Sequence, residues 1–379
     1  MPSFSATVHA EDNTVPPDLD AALTTALEEV VGRRGIHHAV VAIESEDGTQ
    51  RWSAGSGPAE EEAVRPDSPF FIASITKRFI IALLLQAHER AEVSLDAPIT
   101  DLLPKETTTG LHVLDGTDRT AAITVRHLAS HTSGLPDYFE KRRDGPSLFD
   151  RLIAGQDVSW TFEDVLRTTR EQQRPHFPPQ DLSAPRQKAR YSDTGFQLLI
   201  RILETATGSS FADLLADRIT GPLDLQHTGL PRPQAREALA VAPLPLYAKE
   251  RVELPSLIRS SNDLISTTED LLTFQRALLR GDLFRERGTR MLLTERRNRL
   301  RNAPVLQYGL GTMFFRVNRL AAPGHRPVTL VGHSGATGTW LFHCPELGVH
   351  LAGTVDRTRG QAVPFRVMAK LLRAWRPPS

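Results

Sequence analysis

The chain has 379 residues, and its 45 lysine and arginine residues are balanced by 45 aspartate and glutamate residues. This neutral balance argues against nucleic acid or an acidic membrane surface as a partner, because no long-range field of one sign remains to attract one. The single cysteine, Cys344, excludes an intramolecular disulfide and a zinc site built from cysteines. A chain of this length can form one large domain or two medium ones.

Two features of the sequence bear on location. The first 20 residues lack both a positively charged leader and an apolar core, so we predict no signal peptide and a cytoplasmic protein. The most apolar run extends only from Phe79 to Leu85 before Gln86 interrupts it. A membrane-spanning helix needs about 20 apolar residues. The sequence therefore predicts no membrane segment.

The first part of the chain predicts two helices and a hairpin. Residues 16–35 have prolines at the start, acidic residues early, arginines late and Gly35 as a stop, which is typical of a helix. Residues 37–45 and 49–55 are strand-like and are joined by EDG, a hairpin signal. A second helix is predicted over residues 74–90.

The middle of the chain is rich in proline and predicts loops between short helices, whereas the last third predicts consecutive strands. Helices are predicted at 161–170, 194–208 and 266–281, with a surface loop at 174–187. Strands are predicted at 308–317, 328–335, 339–346 and 349–355, and an amphipathic helix at 362–375 closes the chain.

This order of elements predicts the architecture. We expect strands from both ends of the chain to pair in one sheet, which places residues 1–77 and 255–379 in one α/β domain. Residues 78–254 are then expected to form a second, helical domain. The predicted fold class is therefore α/β plus all-α: an antiparallel sheet flanked by N- and C-terminal helices, with a helical insertion. A cleft between two such domains is a usual place for a site.

Ser74 and Lys77 are three residues apart where a helix is predicted to begin, so both side chains emerge on one face. A serine hydroxyl is a poor nucleophile until a neighbouring base takes its proton. A lysine amine can do so only if its pKa falls well below about 10.4. The same spacing also fits an N-cap serine followed by an exposed lysine, so the pair alone does not distinguish a catalytic role from a structural one.

Two further motifs follow in the chain: Tyr191-Ser-Asp193 just before a predicted helix, and His333-Ser-Gly335 at the end of a predicted strand. With Ser74-Ile-Thr-Lys77 they resemble the three motifs of the serine β-lactamase and penicillin-binding-protein superfamily, in its class C β-lactamase, DD-peptidase and esterase branch. Residues 128–136, 260–274 and 308–311 are similar to that family's accessory motifs. The resemblance covers roughly residues 20–375 and implies a β-lactamase-like fold.

The resemblance implies roles for particular residues, without metal or cofactor. Ser74 would be the acylated nucleophile and Lys77 its general base or proton relay. Tyr191 would pass the proton to the leaving group, with its phenolate favoured by Lys77. The backbone N–H groups of Ser74 and Ala336 would form the oxyanion hole.

The remaining expected site residues bind substrate: Asp193, His333, Ser334 and Gly335. Asp193 stands where the family usually has asparagine, and an ionised carboxylate cannot donate to an amide carbonyl and would raise the pKa of Lys77. His333 replaces the lysine of β-lactamases, so a strong anchor for an anionic group is missing. Both departures favour carboxylic esters over amides as small-molecule substrates.

Other functions remain open at this point. A DD-peptidase or β-lactamase-type amide hydrolase, an acyltransferase and a non-enzymatic penicillin-binding sensor-like domain all fit the same motifs. An α/β-hydrolase with Ser334 as nucleophile in GHSGA would need a parallel sheet. His127 and His131 have the spacing of zinc ligands on a helix but lack the glutamate of a metalloprotease, which favours a cap or loop role. The oligomeric state is not predicted.

Overall fold

The computed structural model describes residues 6–10, 13–31, 36–58, 64–231, 246–247, 251–318, 326–357 and 362–375. Its main feature is a nine-stranded sheet in the order β1-β3-β2-β15-β14-β13-β12-β11-β10. The strands of this sheet are β1 Ala6–Ala10, β2 Ala39–Ser45, β3 Arg51–Pro58, β10 Asn298–Arg299, β11 Leu306–Tyr308, β12 Met313–Val317, β13 Val328–Ser334, β14 Thr339–Cys344 and β15 Val349–Val355. Three short antiparallel pairs of strands lie outside it: β4 Phe70–Phe71 with β9 Ile265–Ser266, β5 Val113–Leu114 with β6 Thr117–Asp118, and β7 Leu246–Tyr247 with β8 Arg251–Val252.

Every neighbouring pair in the large sheet is antiparallel. The predicted fold class is confirmed, including the closure of the sheet from both ends of the chain, where β15 pairs with β2. The α/β-hydrolase alternative is wrong, because that fold needs parallel strands joined by crossover helices. The edge strand β1 was not among the predicted elements.

The first helix ends at Glu28, well before its predicted stop at Gly35, whereas the other five predicted helices lie close to their expected positions. Five further short helices bring the α-helices of the described residues to eleven. They are α1 Pro17–Glu28, α2 Thr76–Glu89, α3 Lys105–Thr108, α4 Val125–Ala129, α5 Leu148–Ile153, α6 Phe162–Arg167, α7 Asp193–Thr207, α8 Phe211–Leu215, α9 Pro255–Ser260, α10 Thr268–Arg280 and α11 Ala362–Ala374. The predicted stop of the first helix, Gly35, lies outside the described residues. Within the described part of the chain, no helix is long and apolar enough to cross a membrane.

The sheet separates two apolar cores because alternate residues of a strand point to opposite faces. On β2, Val41 and Ile43 pack into the core covered by α1 and α11, whereas Val40 and Ala42 pack into the core that contains α2, α7 and α10. The second core therefore joins the sheet to the helical part of the chain. The division into domains 1–77 with 255–379 and 78–254 stays a prediction.

Helix α2 is the central element of that second core. Its residues Thr76 to Ala87 are all buried, including the cationic Lys77 and Arg78. The ring of Phe79 stacks on Phe274 of α10 with 3.7 Å between centroids. A buried helix explains the continuous apolar run from Phe79, since a helix covered on all sides needs no polar face.

Candidate active site

Ser74 lies in a short 3₁₀ turn, Ala73–Ile75, that leads directly into α2. The N–H of the preceding Ile72 donates to the carbonyl oxygen of Leu264 at 2.9 Å, which ties the turn to the loop before β9. Ala73 has a φ of 46°, in the left-handed region that residues other than glycine rarely adopt. Strained residues of this kind cost of order 1–3 kcal/mol and cluster at functional sites. The backbone therefore marks the Ser74 turn as a candidate site.

The three side chains predicted to act together meet at the Ser74 hydroxyl. The Lys77 ammonium donates to Ser74 Oγ at 3.1 Å, and the Tyr191 hydroxyl donates to the same oxygen at 2.8 Å. Lys77 reaches it from the first turn of α2, and Tyr191 from the loop before α7. All three line a cleft with a volume of about 520 Å³. Their roles stay predictions.

Lys77 is 2% exposed, and two influences on its pKa oppose each other. Burial, the larger single influence, lowers the pKa, whereas the negative charges of Asp193 and Asp263 raise it; the net effect is a raised pKa. Asp193 forms an ion pair with the Lys77 ammonium. The expected influence of Asp193 on Lys77 is thus present, and Lys77 is a cation near neutral pH.

The charge state of Tyr191 differs from the sequence-based expectation. Burial, followed by the charge of Asp193, raises the pKa of Tyr191 well above its ordinary value, and the hydrogen bond with Ser74 opposes this only in part. This direction is opposite to the expectation of a phenolate favoured by Lys77, because the carboxylate beside the phenol disfavours a second negative charge. Tyr191 is a neutral phenol that can donate a proton.

Four carboxyl groups line the cleft, those of Asp137, Glu140, Asp193 and Asp263. Asp193, the first residue of α7, is the one that contacts the ammonium. Burial raises the pKa of Asp263 to about 7. Burial and the nearby Asp193 raise the pKa of Asp137 well above its ordinary value. Sequence reasoning missed Asp137 and Asp263, although Asp137 directly follows HTSGLP and Asp263 lies within SSNDLIS, both parts of the accessory motifs.

His333 does not line the cleft, which differs from the expectation that it contacts substrate. Its side chain is fully buried behind the site, where Nε2 lies 3.0 Å from the Tyr308 hydroxyl and Nδ1 lies 2.8 Å from the Ser334 carbonyl oxygen. Burial, and then the charge of Lys77, lowers the pKa of His333 well below its ordinary value. His333 is therefore neutral and orients the end of β13. Ser334, Gly335 and Ala336 do line the cleft, as expected.

Gly335 allows the end of β13 to approach the Ser74 turn. A Cβ at this position would lie 2.2 Å from Oγ1 of Thr339 and 2.9 Å from the Cβ of Ala73, so no larger residue fits without a shift. The Thr339 hydroxyl also donates to the Ile72 carbonyl oxygen at 3.1 Å. This close approach sets Ala336 and Ser74 on the same cleft, the arrangement that an oxyanion hole made of their N–H groups requires.

The two histidines with zinc-like spacing have structural contacts. His127 completes a capping box with Thr124 at the start of α4, with its Nδ1 3.0 Å from the Thr124 nitrogen. His131 is buried beside Tyr191, with 4.5 Å between the ring centroids, and its Nδ1 accepts a hydrogen bond from the Ser192 N–H at 3.2 Å. Across the residues that the structure describes, no group of three or more His, Cys, Asp or Glu side chains could hold a metal ion.

The rest of the cleft wall is mostly apolar. The helical part of the chain contributes Tyr138, Phe139, Phe149, Leu152 and Leu254, and the sheet contributes Leu306 and Met313. A mostly apolar cavity with a few convergent polar groups is the usual form of a small-molecule site. The nucleophile and its hydrogen-bonding partners thus lie beside a wall suited to uncharged parts of a substrate.

The chain belongs to the family described as Beta-lactamase, whose model matches residues 23–372. The family predicted from the three motifs is thereby confirmed. The chain is 30% identical over 249 residues to Esterase EstB of Burkholderia gladioli, which covers 62% of this chain and 58% of that protein. It is 26% identical over 364 residues to the D-alanyl-D-alanine-carboxypeptidase/endopeptidase AmpH of Escherichia coli K12, which covers 93% of this chain and 81% of that protein.

The chain spans less than two thirds of some relatives: 58% of EstB and 62% of Penicillin-binding protein 4* of Bacillus subtilis. Solved structures match over a larger share. The D-stereospecific amidohydrolase from Streptomyces sp. has a TM-score of 0.68 at 25% identity, over 92% of this chain and 97% of that one. The D-amino acid amidase of Ochrobactrum anthropi SV3 has a TM-score of 0.72 at 23% identity, over 94% and 98%. These likenesses confirm the β-lactamase-like fold.

Proposed function

We propose that the protein is a serine hydrolase that forms an acyl-enzyme at Ser74 and acts on carboxylic esters of small molecules. The observation that carries the proposal is the meeting of two proton-carrying side chains, Lys77 and Tyr191, at the Ser74 hydroxyl on the wall of a cleft. Membership of the Beta-lactamase family supports it. So does the identity of 30% with a protein named as an esterase.

In the proposed reaction, Ser74 Oγ attacks the ester carbonyl carbon, and the carbonyl π electrons move to oxygen. The N–H groups of Ser74 and Ala336 hold that oxyanion. Lys77 relays the Ser74 proton, and Tyr191 protonates the departing alkoxide as the tetrahedral intermediate collapses. Water then cleaves the acyl-enzyme by the same steps in reverse order. Such preorganised donors, together with positioned proton carriers, account for large rate enhancements in acyl transfer.

Esters are proposed ahead of amides because of the charges in the cleft. Asp193 is engaged as an acceptor by the Lys77 ammonium, and His333 is buried and neutral. The cleft therefore offers neither an asparagine donor at position 193 nor a cation from position 333. An amide hydrolase is the second candidate, since two of the similar solved structures are described as an amidohydrolase and an amidase. Transfer of the acyl group to an alcohol instead of to water is a variant of the same chemistry.

The proposal includes the division into a sheet domain, residues 1–77 and 255–379, and a helical domain, residues 78–254, with the cleft between them. A cytoplasmic location remains a prediction from the sequence.

Labelling with a fluorophosphonate, followed by peptide mass spectrometry, tests the nucleophile. We expect the adduct on Ser74 and no turnover of an aryl ester by Ser74→Ala. A label on Ser334, which lines the same cleft, would contradict the assignment. A stable acyl adduct from aryl esters without turnover would instead favour the non-enzymatic, penicillin-binding sensor-like alternative.

A further inference from the structure

Four side chains at the site form a closed ring of polar contacts. The Ser74 hydroxyl is 3.1 Å from the Lys77 ammonium, and the ammonium is in ion-pair contact with the Asp193 carboxylate. The same carboxylate oxygen is 3.5 Å from the Tyr191 hydroxyl, which returns to Ser74 Oγ at 2.8 Å. Asp193 is therefore the one acidic member of a ring that begins and ends at the proposed nucleophile.

The charge state of the ring restricts how it can take up a proton. Lys77 is a cation in the resting site, and an ammonium has no lone pair with which to accept the Ser74 proton. The titratable and charged groups that act on Lys77 or lie next to it are Asp193, Asp263, Tyr191, Tyr308, His131, His333 and Arg78. Among these, Asp193 is the carboxylate in direct contact with the ammonium.

We propose that Asp193 stores the Ser74 proton during acylation, acting through Lys77, a step that rests on the proposed function. Lys77 passes one of its own protons to the Asp193 carboxylate, and the nitrogen lone pair that this frees takes the Ser74 proton while Ser74 Oγ forms its bond to the carbonyl carbon. Lys77 ends as the same ammonium, Asp193 becomes a neutral carboxylic acid, and the negative charge now lies on the substrate oxyanion.

The ring also returns the proton. When the tetrahedral intermediate collapses, the bond to the leaving oxygen breaks and the Tyr191 hydroxyl gives its proton to that oxygen. Tyr191 takes the stored proton from Asp193, which becomes a carboxylate again. Tyr191 therefore never has to be a stable phenolate, which agrees with its raised pKa. The ring ends acylation in the protonation state in which it began.

The pH dependence of Asp193→Asn separates this relay from the simpler mechanism in which neutral Lys77 is the base. Under the relay, wild-type acylation does not require Lys77 to become a neutral amine before it acts. The Asp193→Asn variant must use a neutral Lys77 amine as the base. The rising limb of its pH–rate profile therefore moves to higher pH, and acylation at pH 7 falls roughly 10²-fold or more. If Lys77 is the base, loss of the nearby negative charge lowers its pKa. The limb then moves to lower pH with faster acylation at pH 7, and either this result or an unmoved limb overturns the proposal.

Asp263→Asn is the matched control, because it removes a carboxylate beside Lys77 that is not in the ring. Less negative charge beside Lys77 does not raise the pKa of Lys77, so a shift of the pH–rate profile to higher pH is expected in Asp193→Asn alone. Mapping the acyl adduct to Ser74 in the same samples keeps the two proposals apart. If no adduct forms on Ser74, the proposed function is contradicted. If the adduct forms but the pH–rate profile of Asp193→Asn moves to lower pH, only the relay is contradicted.

A measurement on the wild-type protein does not depend on the folding of any variant. Burst-phase acylation by an activated ester is followed in mixtures of light and heavy water. Two protons that move together give a rate that curves with the deuterium fraction, and this is the expected result. A straight line, the sign of a single transfer, would overturn the relay.

Discussion

The Tyr191 hydroxyl donates to Ser74 Oγ at 2.8 Å, although 117 positions separate the two residues. Because burial and Asp193 together disfavour the phenolate, Tyr191 keeps its proton beside the nucleophile in the resting site. The Lys77–Asp193 ion pair lies beside these two hydroxyls.

Tyr191→Phe should lower kcat for an aryl ester by roughly 10²- to 10⁴-fold, the usual contribution of one proton-transferring side chain. The phenyl ring keeps the packing against His131, where the ring centroids are 4.5 Å apart, so the thermal midpoint of unfolding should change little. Steady-state kinetics and a thermal melt on the same preparation check both statements. Near-normal turnover in the variant would show that another group protonates the leaving group.

Wild-type protein should hydrolyse short-chain aryl esters readily and turn over a cephalosporin weakly or not at all. The anionic carboxylate of a cephalosporin meets the Asp193 carboxylate in the cleft, and the position 333 side chain offers no positive charge to offset the repulsion. Comparing kcat/KM for the two substrates is the measurement. A neutral amide with the same acyl group as the ester is the control that separates amide chemistry from charge repulsion. Equal efficiency on the cephalosporin and the ester would contradict the argument.

Gly335→Ala should reduce acylation by roughly 10²- to 10³-fold, the size of an oxyanion-hole defect. The added methyl group overlaps Thr339 Oγ1 and crowds Ala73, so the end of β13 must move away from the Ser74 turn. Gly288→Ala is the matched control, because a Cβ there meets nothing within 4 Å. The prediction fails if both variants acylate at the wild-type rate.

His350→Gln should make the protein less sensitive to acid. Burial, and then the charge of His343, lowers the pKa of His350 to about 3, whereas the ordinary value is about 6.5. Between these values the unfolded chain binds more protons, so the free energy of unfolding falls with falling pH, by at most about 1.4 kcal/mol per pH unit. Urea titrations at pH 6.5 and pH 4.5 measure the slope. The exposed His227→Gln serves as control, and equal slopes in His350→Gln and wild type would refute the assignment.

Much of the fold could be predicted from local sequence. The helical spacing and the N-cap region of residues 266–281 predicted α10, and the structure has a Thr267 cap and Gly281 at a φ of 85°. The strands from position 328 to position 355 fell at their predicted places because long apolar runs bounded by turn residues leave few alternatives. Strand β1 was missed, because its five residues carry no turn signal or clear alternation that separates them from a polar terminus.

The sequence by itself singled out the residues that we propose to carry the chemistry, since motif order and spacing pointed to Ser74, Lys77 and Tyr191, and composition excluded a cysteine metal site. Only the tertiary structure decided their charge states. Desolvation and Coulomb interactions depend on burial and on distances of a few ångströms, which are set by contacts between residues far apart in the chain. Hence His333 is buried and neutral, and Tyr191 is a protonated phenol. Asp263, which the sequence did not single out, is a carboxyl group whose pKa is raised by burial and lowered in part by the charge of Lys77.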